Sequence, residues 1–282
     1  MTTTTSNAPT GSAGGASVGS TVSLTLHQFP YDLRSWFRNR QSRFFTVILP
    51  ITFLVILAGV FGGSTNGKVN QVDVAGGKID TSVYYVPGII TLGIIANSLV
   101  NLVISVTAQR ESGVLKRRRA TPVPAAAVIA GRALTSVVTS LVMSAILLVL
   151  GWIFYHAHLP ASTAPALVIT IILGSLAFCC LGYALASVIT DEDAAQPVVQ
   201  AVMLPLYFIS GVLIPSSTLP TWLSDIANVF PVKHLVEALL AAYNPNNTTA
   251  GFAGTDLLIV AAWAVAALAF ALRRFSWLPK GG

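Results

Sequence analysis

Charge is what this chain has least of. Asp, Glu, Lys and Arg together make up 9% of its 282 residues, against about 25% in a soluble domain, which excludes an ordinary water-soluble globule. Acidic groups number 10 against 16 basic ones, and none of them falls in the interior of a long apolar run. That removes the buried carboxylate pairs expected of a proton relay. Cysteine is nearly absent. The two present, Cys179 and Cys180, are neighbours in an apolar stretch, which excludes a disulfide framework and leaves too few ligands for a metal. They read as buried, inert thiols. No HExxH is present, and no serine has a histidine and a carboxylate at recognisable spacing. Catalytic and metal-ligating residues are none, and no enzyme is expected.

What fills the space is apolar. Hydrophobic residues reach 54%, and mean hydropathy is +0.74. Residues 1–22 stand apart as Thr, Ser, Gly and Ala without periodicity, which predicts a disordered tail. After it, Arg34, Trp36, Phe37 and Arg38 fall at mixed helical spacing, as in an amphipathic helix lying in a membrane interface. Six apolar segments follow, at 44–62, 84–107, 125–155, 164–189, 198–214 and 256–273. A bilayer core needs about 20 helical residues, so each is read as a span. Residues 125–132, with Arg132, are read as a cytoplasmic lead-in to the third, whose membrane part begins near Ala133. The fold class is an all-α integral membrane protein with six transmembrane helices.

Cations set the orientation. Five of them, Arg110 and Lys116 through Arg119, lie within ten residues between the second and third spans. Each would cost roughly 2.5–3.5 kcal/mol at the centre of a bilayer, so the run is fixed on one side. With the N-terminus on that side, it holds thirteen basic residues, and only Lys68, Lys78 and Lys233 lie opposite. The bias predicts a cytoplasmic run with both termini beside it. The cations read as topology signals and contacts to anionic lipid. None forms an aromatic-interleaved patch, so no nucleic acid partner is expected.

Gly62 to Val69 matches phosphate-loop spacing as far as Lys68, but lacks the hydroxyl residue that should follow. It follows a membrane span on the outer side, so it reads as a flexible external loop and not as a nucleotide site. Gly93, Asn97, Asn101 and Ser105 recur every four residues and predict one polar stripe on a helix. Such a stripe either bonds helices together or lines a permeation path. Tyr207 and Ser210 in the fifth span carry the same two readings. Between 219 and 243, two short apolar-faced helical stretches separated by Pro231 are expected to dip into the outer leaflet as re-entrant helices.

Two stretches carry a family likeness. One is Glu111-Ser-Gly113-Val-Leu115-Lys116-Arg117-Arg-Arg119-Ala-Thr121-Pro122-Val-Pro124. The other is Leu204-Pro205 through Ser210-Gly211 to Pro215, continuing with Leu219-Pro220, Trp222, Pro231 and Glu237-Ala-Leu. Over residues 24–275 the chain resembles the membrane subunit of type-2 ATP-binding-cassette exporters, in particular the daunorubicin-resistance-like permeases. The family usually has arginine near position 240, where this chain reads Leu240-Ala-Ala. No role is carried over for that arginine.

The resemblance implies a six-helix domain over 23–282 that binds no ATP. ATP and Mg would sit on a separate nucleotide-binding ATPase subunit. A second permease copy or a related permease, and membrane lipid, would be the other partners. Arg110, Glu111, Gly113, Leu115, Lys116 and Arg117 would form the coupling helix to the ATPase, and the 34–38 helix would touch that subunit too. The protein would reside in a bacterial inner or plasma membrane and export an amphiphilic drug-like or lipid-like compound. The uncharged spans argue against a strongly charged cargo. An ion-coupled secondary carrier and a non-transporting scaffold are the alternatives.

Overall fold

A computed structural model describes residues 47–62, 64–65, 68–74, 77–113, 125–155, 160, 162–244 and 250–274, with backbone alone at 64–65, 68–69 and 125–128. The tail, the helix expected around Arg34, Trp36, Phe37 and Arg38, and the residues Leu115, Lys116 and Arg117 lie outside the described residues.

The chain runs as helix α1 (Leu49–Phe61), two hairpins, α2 (Thr81–Ile95), a π-helical turn (Ala96–Val100) and α3 (Asn101–Glu111). Then follow α4 (Ala125–Tyr155), α5 (Ala164–Val188), α6 (Glu192–Ile209), α7 (Thr221–Ala227), α8 (Pro231–Tyr243) and α9 (Gly254–Arg274). Among the described residues, four helices are long and apolar enough to cross a membrane: Thr81–Glu111, Ile129–Tyr155, Ala164–Val188 and Gly254–Arg274. α1 is apolar but shorter, and α6 begins with Glu192 and Asp193. α5 is the hub, packed against α3, α4, α8 and α9.

Apolar residues also face outward in helical register. On α4, Val142, Ile146, Val149 and Ile153 form an exposed stripe, and on α9 Leu258, Val265 and Leu272 stand out. Such faces are costly in water and matched by lipid.

Three expectations need correction. The external loop at 62–69 is instead the hairpin β1 (Ser64–Thr65) and β2 (Lys68–Val69), followed by β3 (Gln71–Val74) and β4 (Gly77–Asp80). The described residues are therefore not purely helical. Alternation explains the second hairpin. Val72 and Ile79 are paired and buried, while Asp73 and Lys78 pair on the exposed side at 3.9 Å, as cross-strand neighbours should. The second span is longer than 84–107, because its polar last turns continue the helix to Glu111. The fifth helix is displaced from 198–214 to 192–209. It stops because Gly211 turns at φ 84, a conformation that favours glycine.

That turn is held in place by α2. Tyr84 donates its hydroxyl to the Gly211 carbonyl at 2.8 Å. At the other connection, Asn70 donates its Nδ2 to the Phe61 carbonyl and accepts at its own carbonyl from the Thr81 N–H and hydroxyl. The strands thus tie the end of α1 to the start of α2.

Candidate functional site

The polar stripe on the second span is broken in two by the π turn. Each turn of that type spans about five residues where an α-turn spans about four, so the residues after it rotate around the axis. Asn97, within the turn, faces α4 and is 7% exposed. Its Nδ2 lies 3.0 Å from the Ser136 carbonyl, 2.6 Å from Thr139 Oγ1 and 3.1 Å from Ser140 Oγ. Ser136 donates to Ser98 at 2.8 Å. This seam is closed and hydrogen-bonded, the glue that polar groups provide between apolar helices.

Asn101 and Ser105 sit on a different face. With Gln109 they keep a four-residue spacing and line a cavity of about 600 Å³ between α1, α2, α3 and α6. From α6, Glu192, Gln196 and Gln200 repeat that spacing and line the same cavity. Gln109 donates to Ser105 at 2.9 Å, and Arg132 of α4 also donates to Ser105. Towards the other end the lining becomes apolar, with Phe53, Leu92, Leu204, Phe208 and Leu213, joined by Tyr207. The cleft is amphipathic along its length: amides, a hydroxyl and one carboxylate at one end, hydrocarbon and aromatic rings at the other.

Of the residues predicted to line a path, Asn101, Ser105 and Tyr207 meet in this cavity. Asn97 belongs to the closed seam. Ser210 is buried outside the lining, and its hydroxyl has no partner among the described residues. Glu192 and Gln196 fell outside the fifth span as begun at 198, and Gln200, inside it, was not singled out. Their four-residue spacing was visible and would have placed them on one face.

The end of α3 holds two of the residues expected to form a coupling helix. Arg110 does not project to the surface. It is 2% exposed, and its guanidinium donates to the carbonyls of Ala186 (3.2 Å), Ile189 (2.5 Å) and Thr190 (2.8 Å). These cluster at the C-terminus of α5, where unpaired carbonyls carry the negative end of the helix dipole. Glu111 is exposed, and its Oε1 accepts from the Glu192 N–H at 2.5 Å, satisfying one of the free amides at the start of α6. Gly113 then leaves the helix at φ 68.

A charge cluster occupies the far side of the fold. His234 Nδ1 lies 2.7 Å from Asp256 Oδ1, and its Nε2 lies 2.8 Å from the Asn228 carbonyl. Lys233 donates to Ser224 Oγ at 2.7 Å and pairs with Glu237 at 3.8 Å. Burial pushes the Glu237 carboxyl above its usual range, partly offset by Lys233. His234, Glu237 and Asp256 bring ligand atoms within 4.8 Å of one another. Two ligands on one tetrahedral zinc at bonds of about 2.0–2.1 Å would stand over 3 Å apart. The 2.7 Å contact is the length of a hydrogen bond, so the geometry here is that of a tie between α8 and α9.

Comparison with known proteins agrees with this architecture. The family model for the ABC-2 type transporter matches residues 29–244. The chain is 22% identical over 166 residues to the probable multidrug ABC transporter permease YbhR of Escherichia coli K12, covering 59% of this chain and 45% of YbhR. It thus spans under half the length of that relative. It is 27% identical over 229 residues to the probable doxorubicin resistance ABC transporter permease protein DrrC of Mycobacterium tuberculosis H37Rv, covering 77% of this chain and 76% of DrrC. With four membrane-length helices among the described residues and a family match over most of its length, this multi-pass membrane protein belongs to the ABC-2 type transporter family.

Proposed function

We propose that the chain is the transmembrane subunit of an ATP-driven exporter, with ATP hydrolysed by a separate subunit. The observation that carries this reading is the amphipathic cleft between α3 and α6 in a chain of the ABC-2 family. Its polar end lies beside Arg110, Glu111 and Glu192, on the side the cation bias makes cytoplasmic. An amphiphile would enter there with its polar group among the amides and its apolar body against Phe53, Leu204 and Phe208.

In this reading six helices cross. α1 and α6 complete the four long ones, and α7 and α8 lie in the outer leaflet. Two permeases pair, and the cleft of each faces the shared path. The run after Gly113 and the segment around Trp36 seat on the ATPase, which rocks the permeases between inward- and outward-facing states. The names of the relatives support drug-like cargo.

Reconstitution of the chain with its ATPase partner tests this. Doxorubicin and a fluorescent phospholipid serve as probes in proteoliposomes. ATP-dependent movement of one of them, lost with an ATPase-dead partner, is the expected result. Movement driven by an ion gradient with the dead partner would establish a secondary carrier instead. No movement of either probe, together with no change when Glu111 and Gly113 are replaced in cells, would favour a scaffold.

A further inference from the structure

We infer that Arg110 is a positioning residue that pins the end of α3 to the α5–α6 junction, so that a push delivered after Gly113 moves both cleft walls as one body. The inference rests on the coupling reading above but gives Arg110 a different partner, its own chain instead of the ATPase. Its guanidinium is buried and spends two nitrogens on three carbonyls from Ala186, Ile189 and Thr190. Among the described residues it makes no ion pair, so the carbonyl end of α5 is its counter-charge. One residue later, Glu111 accepts from the first amide of α6.

Arg110 bonds the last turn of α5 at Ala186 and the connection itself at Ile189 and Thr190, and Glu111 bonds the first amide of α6, so adjacent residues of α3 hold both ends of the 189–191 connection. α3 carries Asn101, Ser105 and Gln109 on the cleft, and α6 carries Glu192, Gln196 and Gln200. Without the guanidinium the two walls would still pack, but of these contacts only the exposed Glu111 bond to α6 would remain at the point where force enters. A guanidinium is suited to this, because its planar fork reaches several carbonyls at once. A lysine ammonium is a point charge and cannot match that fork.

The test uses the permease with its ATPase partner in proteoliposomes, carrying Cys179→Ser, Cys180→Ser and Gln200→Cys. A membrane-impermeant maleimide reports exposure of position 200, with and without ATP and vanadate. In the parent, trapping is expected to change the labelling rate at least about fivefold, the low end of ordinary coupling between sites. Arg110→Ala is expected to keep ATP hydrolysis and its KM for ATP while the labelling response is lost, and Arg110→Lys to restore only part. Glu111→Ala, at an exposed position, is expected to weaken the response and serves if Arg110→Ala does not assemble. A full response in Arg110→Ala, or in Glu111→Ala where Arg110→Ala does not assemble, overturns the pin. Gly113→Pro separates the two readings. If it abolishes the response while the pin variants keep it, coupling stands and the pin falls. If none of the three alters the response, the coupling reading falls as well. A parent that does not respond to ATP overturns both.

Discussion

The two polar faces of the second membrane helix share a composition but not a fate. One face carries Asn97 and Ser98, whose side chains close against Ser136, Thr139 and Ser140 of α4. The other carries Asn101 and Ser105, which look into a cavity of about 600 Å³. A buried amide bonded across to the next helix holds the two together, whereas an amide on a cavity wall stands where a ligand would pass. Residue type does not separate these roles. The π turn does, because it decides which residues meet a neighbour and which meet space.

Substitutions on each face should break in different ways. Filling the cleft has the largest expected effect. Asn101→Trp is expected to cut ATP-dependent export by at least about tenfold while the melting temperature of the complex in detergent is unchanged. A loss of stability equal to the loss of export would place Asn101 in the seam. Asn97→Ala is expected to do the reverse. It leaves acceptors on α4 unpaired and should cost about 1–3 kcal/mol, read by thermal unfolding, with export per folded complex retained. Gln196→Ala, in the cleft wall, is expected to raise the concentration of probe needed for half-maximal export by roughly tenfold or less, the worth of one hydrogen bond, with no effect on unfolding.

The smallest effect is electrostatic and lies outside the comparison, so it serves as a control. Burial raises the Glu237 carboxyl above 4.5. A raised carboxyl stabilises the fold while it is protonated, and that contribution is lost as pH rises through the shifted value. The wild-type melting temperature is therefore expected to fall modestly above pH 4.5 relative to Glu237→Gln, with export at neutral pH unchanged. Parallel pH profiles for the two proteins would contradict the assignment.

Much of the frame was legible in the sequence. Apolar runs located α4, α5 and α9 almost to the residue, since length and hydropathy set a membrane helix. Pro220 and Pro231 marked the starts of α7 and α8, as fixed φ and a missing N–H require. The site was half legible. A strict four-residue repeat joined Asn97 to Asn101, because the backbone hydrogen-bond slip that separates them leaves no residue signature. Glu192 and Gln196 were lost to a span boundary drawn at 198. Arg110 read as one of five surface cations, and only the fold reveals that carbonyls from 76 to 80 residues away surround it. The hairpin at 71–80 had its alternation in plain view, but it lies in the stretch between the first two apolar runs to which no element was assigned.

The central claim is that the space between α3 and α6 lies on the export path whereas the α4 seam does not. Maleimide labelling of Gln200→Cys against Ser140→Cys, in the reconstituted complex with Cys179 and Cys180 replaced by serine, tests it most directly. The expected result is rapid labelling at position 200 that slows when ATP and vanadate trap the complex, with position 140 inert throughout. Equal labelling at the two positions, or a position 200 that never reacts, would contradict it.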